Sequence, residues 1–332
     1  MTKTNQVPQK SERPLIREFL RPNLTLAGML SAGGVLACIS TVAGFAARLW
    51  WPLELCCHFR LQYFIALSIC SLVMMALKKK VQAIIFALFT AFNLSMIAPL
   101  YFGEKPPNRH PKTYRAVLAN VNTQNCAYGK AKEFIKAAKP DIIVLLEINE
   151  EWERALQDLN KEYPYSEFRP REDNFGMAVL SKVRPKKLEP IKLSELGIPS
   201  ITADLVLDSA EISIIAVHPL PPRSREYFIC RNEQLEELAG LVAARKTNVI
   251  VLGDLNITSW SPYFGDLLKN AGLRDSRKGY GLQTTWPSFA VPLGITIDHC
   301  LVSSHIIINN RSIGPLIGSD HLPVIVDFSV LP

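Results

Sequence analysis

The pattern of apolar and polar positions divides the chain in two. Residues 22–47, 61–77 and 81–103 carry no charged side chain, which gives uninterrupted runs of 26, 17 and 23 residues. About 20 apolar residues suffice to cross a bilayer as a helix. Helices of a soluble core keep a polar face, and these runs have none. They predict three transmembrane helices, at about 24–47, 61–77 and 81–103, the second being the shortest candidate. A cleaved signal peptide does not fit, because the first run starts late, is too long and is followed by two more.

From Tyr114 onward the period changes. The segments "RAVLAN", "DIIVLLE", "ISIIAVH", "NVIVLGDLN", "GITIDH" and "LPVIVDF" read as strands. Residues 131–139, 150–160, 225–245 and 262–271 read as helices. Strands alternating with helices predict an α/β or α+β domain over residues 114–332. Residues 104–113, with Pro106, Pro107 and Pro111 among charges, read as a linker, and residues 1–21 as a basic cytoplasmic tail.

Charge changes the picture once it is located. The net charge is +7, from 37 Lys and Arg against 30 Asp and Glu. Ten of the basic and three of the acidic residues lie in 1–103, which leaves 27 of each in 104–332. The basicity therefore belongs to the membrane part, as a topology signal and an attraction to lipid headgroups. The C-terminal domain lacks the global basic footprint of a tight, non-specific nucleic-acid binder. Placing Lys3, Lys10, Arg13, Arg17, Arg21 and Lys78–Lys80 in the cytoplasm satisfies the positive-inside rule, by 8 basic residues against 6. After three spans the domain then lies on the extracytoplasmic side. The seven cysteines show no CxxC and no regular spacing, so neither a zinc site nor a disulfide framework is expected.

The strands finish in chemistry-bearing residues. "RAVLAN" ends in Asn120, with Asn122 two residues on; "DIIVLLE" ends in Glu147; "ISIIAVH" ends in His218. "NVIVLGDLN" reaches Asp254 and Asn256, "GITIDH" reaches Asp298 and His299, and "GSDH" delivers Asp320 and His321 before the last strand. Asn, Asp and Gly are ordinary turn residues after a strand. Glu147 and His218 are not, and a carboxylate after five apolar residues must be solvated, paired or bound to a cation. The inventory is rich in hard oxygen donors, as Mg²⁺ or Mn²⁺ prefers.

These motifs resemble the endonuclease/exonuclease/phosphatase superfamily, which includes deoxyribonuclease I, exonuclease III, inositol polyphosphate 5-phosphatases and neutral sphingomyelinases. "LANVN", "PDIIVLLEIN", "NFGMAVLSK", "AVHPLPP", "VLGDLNITSWSP", "TTWP", "IDHCLVS" and "GSDHLPV" occur in family order over residues 114–330. The three predicted spans before such a domain also resemble a membrane-anchored bacterial group, which implies an inner-membrane location. The resemblance implies a four-layer α/β/β/α sandwich of two mixed sheets and divalent-metal-dependent hydrolysis of a phosphate ester. It further implies Glu147, Asn120 and Asp320 as metal-holding residues and Asp254, Asn256, His321, Asp298 and His218 as catalytic ones. Asn122 and Trp286 are the expected substrate contacts. His299, on the opposite face of its strand from Asp298, is expected to be structural. Three readings stay open: a nuclease-like phosphodiesterase, an enzyme acting on a lipid or small phosphate ester, and a non-enzymatic module that keeps the fold. No obligate protein partner is evident.

Overall fold

The structure, a computed structural model, describes residues 25–103 and 112–331. The basic tail and most of the linker expected above lie outside the described residues. Among the described residues four helices come first: α1 (Leu26–Ala43), the short α2 (Trp51–Leu55), α3 (Arg60–Ala76) and α4 (Lys80–Ile97). The hydroxyl of Thr25 caps α1 by accepting from the Gly28 amide at 3.1 Å. Tight turns extend α1 to Ala46 and α4 to Tyr101. With them the two helices reach 21 and 22 residues at mean hydropathies of 1.8 and 2.0, long and apolar enough to cross a membrane. At 17 residues α3 is shorter than that. Three apolar helices thus stand where the sequence predicts them, and two of the three have the length to span.

The remainder folds as two six-stranded mixed sheets. The first has the order β11-β12-β1-β2-β4-β3 and the second β5-β6-β7-β8-β10-β9. The strands are β1 (Tyr114–Asn120), β2 (Ile142–Leu146), β3 (Tyr165–Arg169), β4 (Met177–Ser181), β5 (Lys187–Lys192) and β6 (Pro199–Leu207). They continue as β7 (Ala210–Val217), β8 (Asn248–Asp254), β9 (Arg274–Asp275), β10 (Asp298–Val302), β11 (Ile306–Ile313) and β12 (Val324–Val330). Four further helices flank them: α5 (Tyr128–Ala138), α6 (Glu150–Leu156), α7 (Arg225–Ala243) and α8 (Pro262–Ala271).

Period-two alternation builds the layers. Along β1, Ala116 and Leu118 face the second sheet, where they meet Ile201, Ile214 and Ile250. Val117 and Ala119 face outward onto Phe134 of α5 and Trp152 of α6. In the second sheet, Ile215, Val217, Val249 and Val251 carry Leu235 and Leu238 of α7 and Leu267 of α8. Burying a Leu, Ile or Val side chain contributes about 1.5–3 kcal/mol. The four layers expected from the resemblance are therefore those observed.

Each sheet holds one parallel pair, β1 with β2 and β7 with β8, joined by α5 and α7 respectively. A parallel pair sends both C-terminal ends to one rim. Asn120 and Glu147 come from the first pair, His218 and Asp254 from the second. One expectation is corrected here. "GITIDH" does not end as a strand at Asp298; β10 begins there, and residues 294–297 are irregular apart from a bridge between Ile295 and Trp286. Because β10 runs antiparallel to β8, its first residue lies opposite the last residue of β8, Asp298 against Asp254.

The domain sits on one end of the helices. Gly279 and Gly281 donate their amides to the Leu100 carbonyl, each at 2.9 Å. Trp260 Nε1 donates to the Met96 carbonyl at 3.0 Å, and Arg48 pairs with Asp266 at 2.8 Å. Gln62, in the first turn of α3, donates to the Gly294 carbonyl at 3.2 Å.

Candidate active site

Three residues at the strand ends take the left-handed backbone conformation: Asn122 (φ 62°), Glu147 (φ 60°) and Asn256 (φ 50°). Asparagine tolerates it, whereas for glutamate it is uncommon and gathers at functional sites. The sharp reversal after β2 needs room from its neighbours. A Cβ on Gly176 would lie 1.8 Å from the Ile148 carbonyl oxygen, and one on Gly253 would lie 2.2 Å from that of Val217. Only glycine lets β4 approach Ile148 and β8 approach β7 so closely.

The side chains then converge. Asn120 Nδ2 donates to Glu147 Oε1 at 2.8 Å and to Asp254 Oδ2 at 3.3 Å, which ties the two sheets together. Asp254 is buried; its Oδ1 accepts from the Asn256 amide at 3.0 Å. Its Oδ2 lies 3.6 Å from His218 Nε2 and 3.7 Å from His321 Nε2. Behind His321, Nδ1 donates to Asp298 Oδ2 at 2.9 Å. The Asp298 amide is in turn held by the Thr285 hydroxyl at 3.3 Å.

Electrostatics follow from burial and from these pairings. Burial opposes charge on His321, but Asp298 and Asp254 outweigh it and hold the imidazolium up to about 10. Burial, then the neighbouring Asp298, pushes the Asp254 carboxyl up to about 8. His218 is pushed down to about 3, first by burial and then by His321, so it stands neutral. Burial likewise raises Glu147.

Two groups of ligand atoms lie within 4.8 Å of one another among the described residues: Glu147, His218 and Asp254, and Asp254, Asp298 and His321. Asp320 belongs to neither. Its Oδ1 accepts from Asn122 Nδ2 at 2.7 Å and its Oδ2 from Trp286 Nε1 at 3.1 Å, so both expected substrate contacts are bonded to it. Asn256 lies at the site, although its Nδ2 donates to the Pro219 carbonyl at 2.9 Å and so braces the loop after β7. His299 points away from Asp298, and its Nε2 meets the Ile257 carbonyl at 2.8 Å.

Sequence reasoning missed a buried cluster beside the site: Glu54, His58 and Arg231. One signal was available. Glu54 is the only carboxylate in residues 25–103, and a lone acid in so apolar a segment requires a partner. Arg231, on a helix rich in charge, gave none.

The sequence matches the Endonuclease/Exonuclease/phosphatase family over residues 117–321, most of the chain and every strand end named above. The chain belongs to this family. It is accordingly a phosphoester hydrolase of the divalent-metal-dependent kind. Solved structures agree in fold. D. rerio TDP2 complexed with a single-strand DNA product superposes with a TM-score of 0.57 at 15% identity, covering 66% of this chain and 100% of that one. The human Nocturnin catalytic domain gives 0.55 at 20% identity, covering 70% and 98%. A family member from Bacteroides vulgatus gives 0.54 at 18% identity, covering 66% and 100%. A search of curated proteins by sequence returns no match.

Proposed function

We propose that this family member is a membrane-anchored phosphodiesterase with nuclease-like action. The observation that carries the reading is Asp254, a buried carboxylate with Asn120, His218 and His321 around its outer oxygen and Asp298 behind His321. Asp254 aligns and deprotonates the attacking water, its raised pKa suiting a base that works near neutrality. His321, kept charged by Asp298, stabilises negative charge growing on the phosphoryl oxygens. His218 is neutral and contributes an N–H to the phosphate, not an imidazolium proton. Asn256 fixes the Asp254 carboxylate through its backbone amide.

The donor set suits a hard cation. Glu147, with an oxygen-rich neighbourhood and the neutral His218 at 4.0 Å, would hold Mg²⁺ or Mn²⁺. Asp320 contributes from the opposite flank of β1, and Asn120 braces Glu147. When bound, the ion supplies charge neutralisation at the phosphate and at the leaving oxygen.

Anchoring is supported by the two long helices and by apolar side chains such as Leu36, Leu72 and Leu88 that stand exposed on the bundle. In this reading all three helices cross the bilayer, with Lys78–Lys80 on the cytoplasmic side. The test uses the full chain in membranes washed with alkaline carbonate, where an embedded chain stays behind, and then in detergent micelles. Supercoiled plasmid should be nicked in Mg²⁺, and Asp254→Asn should lower kcat by about 10²–10⁴ with little change in KM. Equal rates in the two proteins would remove Asp254 from its role.

A second reading has its own observation. The turn at residues 288–293 exposes Phe289 (83%), Val291 and Leu293 next to Trp286, and its far end is bonded to α3. Apolar side chains so placed favour a phosphoester presented by the bilayer itself. Intact plasmid together with phosphate or headgroup release from phospholipid vesicles would select this reading.

A further inference from the structure

The connector between α1 and α3 reaches the loop that follows Asp254. Glu54 and Arg231 are both fully buried, and Glu54 Oε1 lies 3.2 Å from Arg231 Nη2. Neither atom has an aligned hydrogen-bond partner, so they meet charge to charge. The guanidinium rests against Phe228 and Tyr263, at 5.4 and 6.0 Å from the ring centroids. Its Nη1 donates to the Asn256 carbonyl at 3.1 Å. On the other flank His58 lies 3.3 Å from Glu54 Oε2 through Nε2, and its Nδ1 meets the Thr258 hydroxyl at 2.9 Å. One connector thus touches the catalytic loop at two points, one through Arg231 and one directly.

We infer that Glu54 and His58 are positioning residues for hydrolysis. Acting through Arg231 and Thr258, they fix the backbone of residues 255–261, and with it the aim of the Asp254 carboxylate that the Asn256 amide holds. The inference rests on the catalytic reading of Asp254 given above. Stability alone does not account for the cluster, because a buried ion pair is often no more stabilising than apolar side chains of equal volume. Its geometry does. Asn256 sits in a left-handed conformation, with its amide on Asp254 and its side chain on Pro219, and the grip of Arg231 on its carbonyl is the hold that comes from the connector's side. A misplacement of about 1 Å in such a group costs about 100-fold in rate. The N-terminal helices are then part of the enzyme and not merely its tether.

The test uses the full chain in detergent micelles. Glu54→Gln combined with Arg231→Met removes both charges together and leaves neither orphaned. Two quantities are read: kcat and KM on plasmid or vesicle phospholipid in Mg²⁺, and amide hydrogen exchange of residues 255–261. The expected result is a folded protein whose kcat falls about tenfold or more at unchanged KM. Exchange in 255–261 should quicken about tenfold while β8 stays protected. A folded double variant with wild-type kcat and wild-type exchange overturns the inference. Should the pair fail to fold, His58→Ala keeps both charges and is read in the same way: faster exchange at 255–261 is expected, and unchanged exchange overturns it. A wild-type chain that hydrolyses neither substrate defeats the catalytic reading, while the exchange measurement still decides whether the connector holds the loop.

Discussion

His299 and His321 are both buried, yet one stands neutral and the other charged. His321 has two carboxylates beside it and is held up to about 10. His299 lies against the Phe264 ring at 4.7 Å with its Nε2 on the Ile257 carbonyl; burial pushes it down to about 4. Between pH 6.5 and 4 the unfolded chain takes up a proton that folded His299 refuses, so stability falls as pH falls through that window. The loss amounts to about 3 kcal/mol. Chemical denaturation at pH 7 and at pH 4.5 should show it, and His299→Gln should flatten the difference; an equal pH dependence in that variant would show that other groups are responsible. Residue chemistry was legible where a side chain broke a local rule. Glu147 and His218 close strands without being turn formers, and both lie in the site. Trp286 and Asn122 read as substrate contacts, and the structure bonds both to Asp320. Arg231 broke no rule and stayed invisible, because its buried partners lie far away in sequence.

The helices and most of the strands read from the sequence lie within a few residues of those observed because their periods are local, whereas β3, β5, β6, β9 and β11 went unread. The helix read at 262–271 is α8, and the one read at 150–160 is α6 followed by a tight turn to Lys161. The beginning of β10 was not legible. "GIT" has strand composition, but those residues spend their backbone groups on the turn around Trp286. Gly176 shows what an element demands of one position. Its amide plane lies against Ile148, the Ile148 amide donates to its carbonyl at 3.2 Å, and any Cβ there collides with main chain. Gly176→Ala should therefore destabilise the fold by about 1–3 kcal/mol and shift the Glu147 turn. Thermal denaturation beside a kcat measurement checks both; a variant as stable and as active as wild type would show that β4 has room to move.

At the scale of the molecule, the sequence placed helices before a two-sheet domain, and the lone carboxylate of Glu54 was its one hint that they dock. Docking depends on shape and on single polar contacts, neither of which has a period. The neutral charge of the domain conceals a concentrated cluster of carboxyl groups, with Glu147 and Asp254 bridged by a neutral amide. A cation that binds there stabilises the folded state by mass action, about 2.7 kcal/mol at a hundredfold excess over its Kd. Mg²⁺ should raise the Tm of the full chain by several degrees relative to EDTA, and Glu147→Gln should abolish the rise. A shift that persists in that variant would place the ion elsewhere.

The contact between Glu54 and Arg231 also has a history in time. About 180 residues separate the two in the chain, so at about 5–20 residues per second synthesis of Glu54 precedes that of Arg231 by roughly 10–35 s. Throughout that interval Arg231 is not yet there to answer the carboxylate of Glu54. A charge can wait in this way at the end of a helix bundle, where water reaches it, and not in the middle of a span. The position of the connector is thus also what allows the chain to be born in order.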